Sequence, residues 1–181
     1  LGGLVGGGAV TAVAGSATAA EATDAVAATP AERPFKARPA ASGKRPNILV
    51  ILGDDLGWAD LSSVGEVLAA LRRSGQEENT VVLFASDNGG ERLSCNWPLS
   101  GEKFVLLEGG IRVPTIVRWP ARIDGHQVSH EPNFSPDWTA TLLELGGARP
   151  DPAHPVDGTS LAGYLLRDER LPERDLFWRV R

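Results

Sequence analysis

The segment PNILVILGDDLGW, residues 46–58, carries the strongest indication of the fold. Residues 48–52 form an unbroken apolar run in which β-branched side chains predominate. A run without polar alternation predicts a strand that is buried on both faces of a sheet. Two carboxylates, Asp54 and Asp55, follow directly, at the position where ligands of open α/β sheets usually bind. The sequence therefore predicts an α/β fold with a site beyond the carboxyl end of this strand.

A second run of the same kind, TVVLFA at residues 80–85, ends in the polar segment SDNGG. Two neighbouring parallel strands would bring the side chains that follow them to one edge of the sheet, namely Asp54, Asp55, Asp87 and Asn88. Three carboxylates and an amide oxygen suit a hard cation such as Ca²⁺ better than Zn²⁺, with waters or a substrate anion completing the shell. The alternative is that these residues only cap turns after strands, where Asp, Asn and Gly are common.

Three blocks of this sequence resemble the sulfatases, the formylglycine-dependent sulfuric ester hydrolases of the alkaline phosphatase superfamily. The blocks are PNILVILGDDLGW (46–58), SDNGG (86–90) and NWPLSGEKFVLLEGGIRVP (96–114). The resemblance covers residues 45–61 and 64–178. It implies a truncated alkaline-phosphatase-like sandwich, in which helices flank a mostly parallel central sheet.

The resemblance also implies roles for particular residues. The sulfatase calcium ligands match Asp54, Asp55, Asp87 and Asn88, and the lysine that contacts the sulfate group matches Lys103. On local grounds alone, Lys103 is a surface residue in a turn-rich loop. The implied activity is hydrolysis of a small-molecule or saccharide sulfate ester by attack on sulfur, assisted by Ca²⁺.

The sulfatase nucleophile is missing from this sequence. In that family a Cys or Ser within the pattern Cys/Ser-x-Pro-x-Arg is converted to formylglycine, and no Cys or Ser of this chain fits the pattern. Cys95 is followed by Trp97 and Leu99 at the two decisive positions, so we predict a small, partly buried structural residue there. The resemblance places the lost segment at the junction of residues 61–64. We therefore assign no catalytic residue and predict that the 181-residue chain is inactive.

Two other functions stay open. A phosphoesterase of the same superfamily is disfavoured, because those enzymes tend to carry Asp-His where this chain has Asp87-Asn88. A non-catalytic calcium- or anion-binding protein is the second alternative, and a turnover assay on an aryl sulfate distinguishes it from an enzyme.

Composition divides the chain into three parts. Residues 1–28 are rich in Gly and Ala and resemble the rear of a secretory signal, which predicts an exported protein; a low-complexity linker is the alternative. Residues 29–45 predict a flexible linker, and residues 46–181 an incomplete sulfatase-like α/β domain. The net charge of −5 gives no indication of a nucleic-acid partner, and the apolar run near the N-terminus is too short for a membrane span.

Further elements follow from periodicity and end signals. We expect a helix over residues 64–74 with Ser63 and Glu66 as a capping box and Gly75 as its stop. A strand is expected at residues 111–119, and helices are expected to open at Ser135 and after residues 157–160. The resemblance to sulfatases implies a further strand at residues 174–178. The expected surface residues are the three histidines, His126, His130 and His154. The small C-terminal domain of the family is expected to be absent, and the apolar strand edges left exposed predict self-association.

Overall fold

The computed structural model describes residues 8–12, 38, 43, 45–57 and 65–179 of the chain. The strands are β1 (Gly8–Ala12), β2 (Asn47–Gly53), β3 (Thr80–Ser86), β4 (Val113–Arg118) and β5 (Gln127–Val128). The α-helices are α1 (Gly65–Arg73), α2 (Glu108–Ile111), α3 (Ser135–Leu145) and α4 (Ala162–Leu166), and a 3-10 turn over Glu77–Asn79 leads into β3. Trp58, the predicted cap Ser63 and the junction at 61–64 lie outside the described residues.

All five strands form one sheet in the order β2-β3-β4-β1-β5. The β2/β3 and β1/β4 pairs are parallel, whereas the β3/β4 and β1/β5 pairs are antiparallel. The predicted α/β class is confirmed, and the sheet is mixed. Strand β1 lies within the segment that resembles a signal, while the predicted boundaries at residues 28 and 45 stay predictions.

The core lies between the sheet and helices α3 and α4. Its buried members come from β3, β4 and the segment after β4, and from α3, α4 and the N-cap of α4: Val81, Leu83, Val117, Trp119, Ile123, Trp138, Leu161 and Leu165. Each such side chain stabilises the fold by about 1.5–3 kcal/mol when it is removed from water. Strand β3 is buried along most of its length, and the candidate site follows the end of that strand. Among the helices that the structure describes, none combines the length and apolar character needed to cross a membrane.

Strand β2 differs from its prediction. The exposed fractions of Ile48, Val50 and Leu52 are 40%, 50% and 63%, so the expectation of burial on both faces is wrong. Because Val50 pairs with Leu83 in the parallel register, these three side chains share the sheet face on which the core packs. The core residues of that face come from β3 and β4, and β2 stands at the end of the strand order. An unbroken apolar run thus predicts a strand, but it does not predict whether that strand lies at the centre or at the edge of the sheet.

Other predicted elements are confirmed with small shifts. Strand β4 begins at Val113, two residues later than expected, because residues 108–111 form helix α2. Gly75 has a φ of 68° and ends α1 as predicted. The strand expected at residues 174–178 is wrong, because the described residues 171–179 pair with no strand.

The start of α3 is stabilised by Asp137 rather than by Ser135. Its Oδ2 atom accepts a hydrogen bond from the Phe134 backbone N–H at 3.1 Å, and its Oδ1 atom accepts one from Thr159 N–H at 2.8 Å. Arg174 donates to both carboxylate oxygens, one of them at 2.7 Å from Nη1. Asp137 is fully buried, so this carboxylate ties α3 to the segment before α4 and to the C-terminal segment.

Candidate metal and anion site

The ends of β2 and β3 bring the predicted acidic residues together. The two strands are parallel, and Gly53 pairs with Ser86, so the residues that follow leave the sheet at the same level. Oxygen atoms from Asp54, Asp55 and Asp87 lie within 4.8 Å of one another. The three aspartates after the two strands therefore lie together, as the sequence predicted. The role of these side chains as metal ligands stays a prediction.

Asp55 is the centre of the polar contacts. Its Oδ1 atom accepts hydrogen bonds from Asn88 Nδ2 at 2.8 Å and from Lys103 Nζ at 2.6 Å, and its Oδ2 atom accepts one from Lys103 Nζ at 2.7 Å. The Asn88 hydrogen bond, followed by the Lys103 hydrogen bond, lowers the pKa of the Asp55 carboxyl. Asp55 adopts a φ of 57°, a left-handed conformation that Asp tolerates better than most residues. The carboxylate is thus held ionised at the turn after β2.

Lys103 reaches this edge from a loop that lies 48 residues further along the chain than Asp55. Its ammonium group is 4.0 Å from Glu91 and 5.3 Å from the ring centroid of Phe104. The hydrogen bond to Asp55 is the largest cause of the raised pKa of Lys103. Phe104 has a φ of 71°, which is costly for an aromatic residue and is typical of functional loops. The structure therefore places the predicted sulfate-contacting residue against the acidic cluster.

Asp87 and Asn88 also make the ordinary contacts of a turn after a strand. Asp87 Oδ1 accepts hydrogen bonds from the backbone N–H groups of Asp55 at 3.2 Å and Asn88 at 2.9 Å. The buried Asn88 amide donates from Nδ2 both to Asp55 and to Gly89 O, the latter at 2.9 Å. Asn88 thus presents nitrogen, not oxygen, to Asp55. Asp87 therefore makes the contacts of a turn cap, and its role as a metal ligand stays a prediction.

Polar side chains that sequence reasoning missed hold the three loops in place. Asn96 donates to Gly90 O and accepts from Gly90 N–H, both at 2.9 Å, and it also donates to Gly101 O at 3.2 Å. Ser94 Oγ donates to Asp55 O at 2.8 Å. Asn96 falls within the block that resembles sulfatases, but no local pattern marks an asparagine as a link between two loops.

Backbone packing between glycines explains how closely the loops approach. A Cβ atom on Gly89 would lie 1.8 Å from Gly109 O, so no other residue fits there without movement. Gly89 N–H donates to Gly110 O at 3.0 Å across the same contact. The glycine pairs of SDNGG and EGG therefore allow the loop that carries Lys103 to pack directly on the end of β3.

The remaining predicted site residues are placed as follows. Cys95 is exposed, so the expectation of partial burial is wrong. His126, His130 and His154 are exposed, as predicted. Arg118 of β4 is buried and forms an ion pair with Glu77.

The residues present fit a hard divalent cation. All ligand atoms of the cluster are carboxylate oxygens, and three carboxylates with one lysine leave two negative charges. No sulfur or imidazole belongs to the described cluster, so a zinc site of the usual kind is not formed by it. An oxygen-rich edge with a lysine above it can hold a cation and an oxyanion side by side.

Comparison with known proteins identifies the family. A family profile described as Sulfatase matches residues 62–148. The chain belongs to the sulfatase family. N-acetylgalactosamine-6-sulfatase of Mus musculus is 35% identical over 122 residues, which are 64% of this chain and 23% of the mouse protein. Arylsulfatase A of Homo sapiens is 35% identical over 142 residues, which are 76% of this chain and 26% of the human protein.

A solved structure titled as the crystal structure of Ps i-CgsB in complex with k-i-k-neocarrahexaose is also similar. It has 33% sequence identity and a TM-score of 0.48, and the match covers 54% of this chain and 22% of that one. This sulfatase-family chain thus spans about a quarter of the length of the curated relatives it matches. The predicted family is confirmed, and the sulfatase match includes Asp87, Asn88 and Lys103.

Proposed function

We propose that this chain carries the calcium- and sulfate-binding part of a sulfatase-family hydrolase of sulfate esters. The observation that supports this most is the convergence of Asp54, Asp55 and Asp87 with Lys103 in contact with Asp55. Asp54, Asp55 and Asp87 would hold Ca²⁺, joined by Asn88 once its amide has turned. When bound, Ca²⁺ supplies Lewis-acid polarisation of sulfate oxygens. Lys103 would bind the same sulfate as a point charge.

Isothermal titration calorimetry with CaCl₂ tests the metal part of this proposal. We expect one binding site in the wild-type chain, and at least about tenfold weaker binding in Asp54→Asn and Asp87→Asn, because each loses a charged oxygen ligand. Asp151→Asn, which removes an exposed carboxylate outside the cluster, is the matched control. Equal Ca²⁺ affinity in all four proteins would overturn the site.

We propose that the chain binds its sulfate ester substrate but does not hydrolyse it. Among its 181 residues no Cys or Ser lies in a Cys/Ser-x-Pro-x-Arg pattern, and without a nucleophile the two-step reaction has no first step. Purified protein is expected to release no phenol from an aryl sulfate in the presence of Ca²⁺. Calcium-dependent turnover would refute the inactivity and would exclude the alternative of a non-catalytic calcium- or anion-binding protein.

The proposed substrate is a small-molecule or saccharide sulfate ester rather than a phosphate ester. Asn88 stands where zinc-dependent phosphoesterases of the superfamily present histidine, so the cluster offers oxygen to a hard cation. A titration of ZnCl₂ under the same conditions checks this. We expect Zn²⁺ to bind more weakly than Ca²⁺, and the reverse order would favour the phosphoesterase alternative.

Export is proposed from the small and apolar residues of segment 1–28, with a cleavage after Ala19 that would also remove strand β1 from the sheet. Mass spectrometry of the mature protein from its native host is expected to find an N-terminus at Ala20. A mature protein that retains residues 1–19 would overturn this proposal.

Self-association is proposed through β2. Its exposed side chains Ile48, Val50 and Leu52 form an apolar row on a strand at the end of the sheet, and such rows promote association between copies.

A further inference from the structure

Both carboxylate oxygens of Asp55 are engaged by groups that donate hydrogen bonds. Lys103 Nζ lies 2.6 Å from Oδ1 and 2.7 Å from Oδ2, and Asn88 Nδ2 lies 2.8 Å from Oδ1. A cation that binds either oxygen must share it with a positive ammonium group or displace that group. The side chain of Lys103 is 21% exposed, so the ammonium group has a path away from the cluster toward solvent.

We propose that Lys103 and the divalent cation compete for Asp55, and that cation binding releases Lys103 to bind an oxyanion at the same edge. This inference rests on the proposed function, because it takes the acidic cluster as the cation site. Lys103 would then act as a switch between an internal ion pair and an anion contact. Binding of the cation and binding of the anion would be positively coupled.

The charges explain the direction of this coupling. Asp54, Asp55, Asp87 and Lys103 together carry a net charge of −2. A divalent cation brings this sum to zero and repels the Lys103 ammonium at short range. An oxyanion then supplies a closer negative partner than the Glu91 carboxylate, which lies 4.0 Å from Lys103 Nζ. By linkage, an anion that binds Lys103 must raise the affinity for the cation by the same factor.

Asn88 is expected to move with Lys103. Its NH₂ group donates to Asp55 Oδ1, the atom that also accepts from Lys103. A cation on Oδ1 would meet the amide hydrogens, whereas a half-turn of the amide would present oxygen as a further ligand. The same half-turn would also end the 2.9 Å hydrogen bond from Asn88 Nδ2 to Gly89 O.

Calorimetry on the full chain tests the competition. In buffer without oxyanions, we expect Lys103→Met to bind Ca²⁺ about tenfold more tightly than wild type, because a competing unit charge within about 4 Å is removed. Arg149→Met, which removes an equal charge from an exposed residue after α3, is expected to bind like wild type. Circular dichroism melting checks that all three proteins are folded.

The coupling is tested with methanesulfonate, an oxyanion that cannot be hydrolysed as an ester. It is expected to raise the Ca²⁺ affinity of wild type and of Arg149→Met by about threefold or more, and to leave Lys103→Met unchanged. Equal Ca²⁺ affinity in wild type and Lys103→Met, or an equal response of both to methanesulfonate, would overturn the inference while leaving the cation site intact. Absence of Ca²⁺ binding in both proteins would overturn the proposed function itself, and the inference with it.

A spectroscopic readout follows Lys103 directly. The chain contains three lysines, Lys36, Lys44 and Lys103, so the Lys103 ammonium signal in an Nζ-detected NMR spectrum is assigned by its loss in Lys103→Met. Saturation with Ca²⁺ is expected to shift this signal and speed its proton exchange, because the two hydrogen bonds to Asp55 are broken. An unchanged signal at saturating Ca²⁺ would contradict the displacement of Lys103.

Discussion

The side chain of Asn96 forms two hydrogen bonds with the backbone of Gly90, accepting from its N–H and donating to its carbonyl, both at 2.9 Å. Its third hydrogen bond, to Gly101 O at 3.2 Å, joins the turn that carries Lys103 to the turn that carries Asp87 and Asn88. Lys103 N–H itself donates to Gly90 O at 3.3 Å. Asn96 therefore positions the loop that carries Lys103 over the end of β3. Its hydrogen bonds go to the backbone of Gly90 and Gly101 and not to the acidic side chains.

Replacing Asn96 by Ala should loosen this junction. The loss of its hydrogen bonds, with the Gly90 backbone left partly unsatisfied, is expected to lower the free energy of unfolding by about 1–3 kcal/mol. Urea denaturation at neutral pH measures this loss in the free energy of unfolding. Asn79→Ala, which removes a single hydrogen bond to Arg45 O at 3.0 Å, is the control and should cost less. Equal losses in the two variants would contradict a special role for Asn96.

Asp137 should contribute more to stability than any exposed carboxylate. Its buried carboxylate accepts hydrogen bonds from Phe134, Thr159 and Arg174, so Asp137→Asn removes the negative partner of the Arg174 guanidinium. Breaking such a pair is expected to lower the free energy of unfolding by about 3 kcal/mol. Thermal and urea unfolding provide the measurement. Asp151→Asn, at an exposed site, should leave the midpoint unchanged, and a similar midpoint for Asp137→Asn would show that the network is dispensable.

Stability should fall in acid partly through Glu77. The Arg72 hydrogen bond, together with the charge of Arg118, lowers the pKa of Glu77 below its usual value of 4.5. A carboxyl with a lowered folded-state pKa stabilises the fold above its unfolded-state pKa, and this contribution is lost as the pH falls through the folded-state value. Urea midpoints at pH 7, 5 and 3.5 are therefore expected to drop more steeply for wild type than for Glu77→Gln. Parallel pH profiles would exclude Glu77 as a source of the acid sensitivity.

Charges placed on the exposed row of β2 should prevent self-association. The double change Val50→Lys and Leu52→Lys puts two like charges on side chains that are 50% and 63% exposed, so the fold should tolerate it. Size-exclusion chromatography with light scattering is expected to find oligomers of wild type and a monomer of the variant. Phe177→Lys, at another exposed apolar residue, should still associate. A wild-type monomer at high concentration would refute the proposed contact.

Some of these features were predictable from sequence because their causes are local. The apolar runs at residues 48–52 and 80–85 predicted β2 and β3, since unbroken apolar stretches are typical of sheet strands. The acidic residues after each run could be placed together, because parallel neighbours end at the same edge. Gly75 could be predicted as a helix stop, because its φ of 68° is a left-handed conformation that glycine adopts at little cost.

Sequence alone therefore predicts the strand pair, the acidic cluster at its end and the sulfatase family. Four further features emerge only from the folded chain: Lys103 contacts Asp55, Asn88 presents its nitrogen, Asp137 is buried with several partners, and β2 is exposed. The reason is physical. Hydrophobic periodicity and capping depend on neighbours along the chain, whereas these four features depend on groups brought together through space, such as Asp55 and Lys103, which are 48 residues apart.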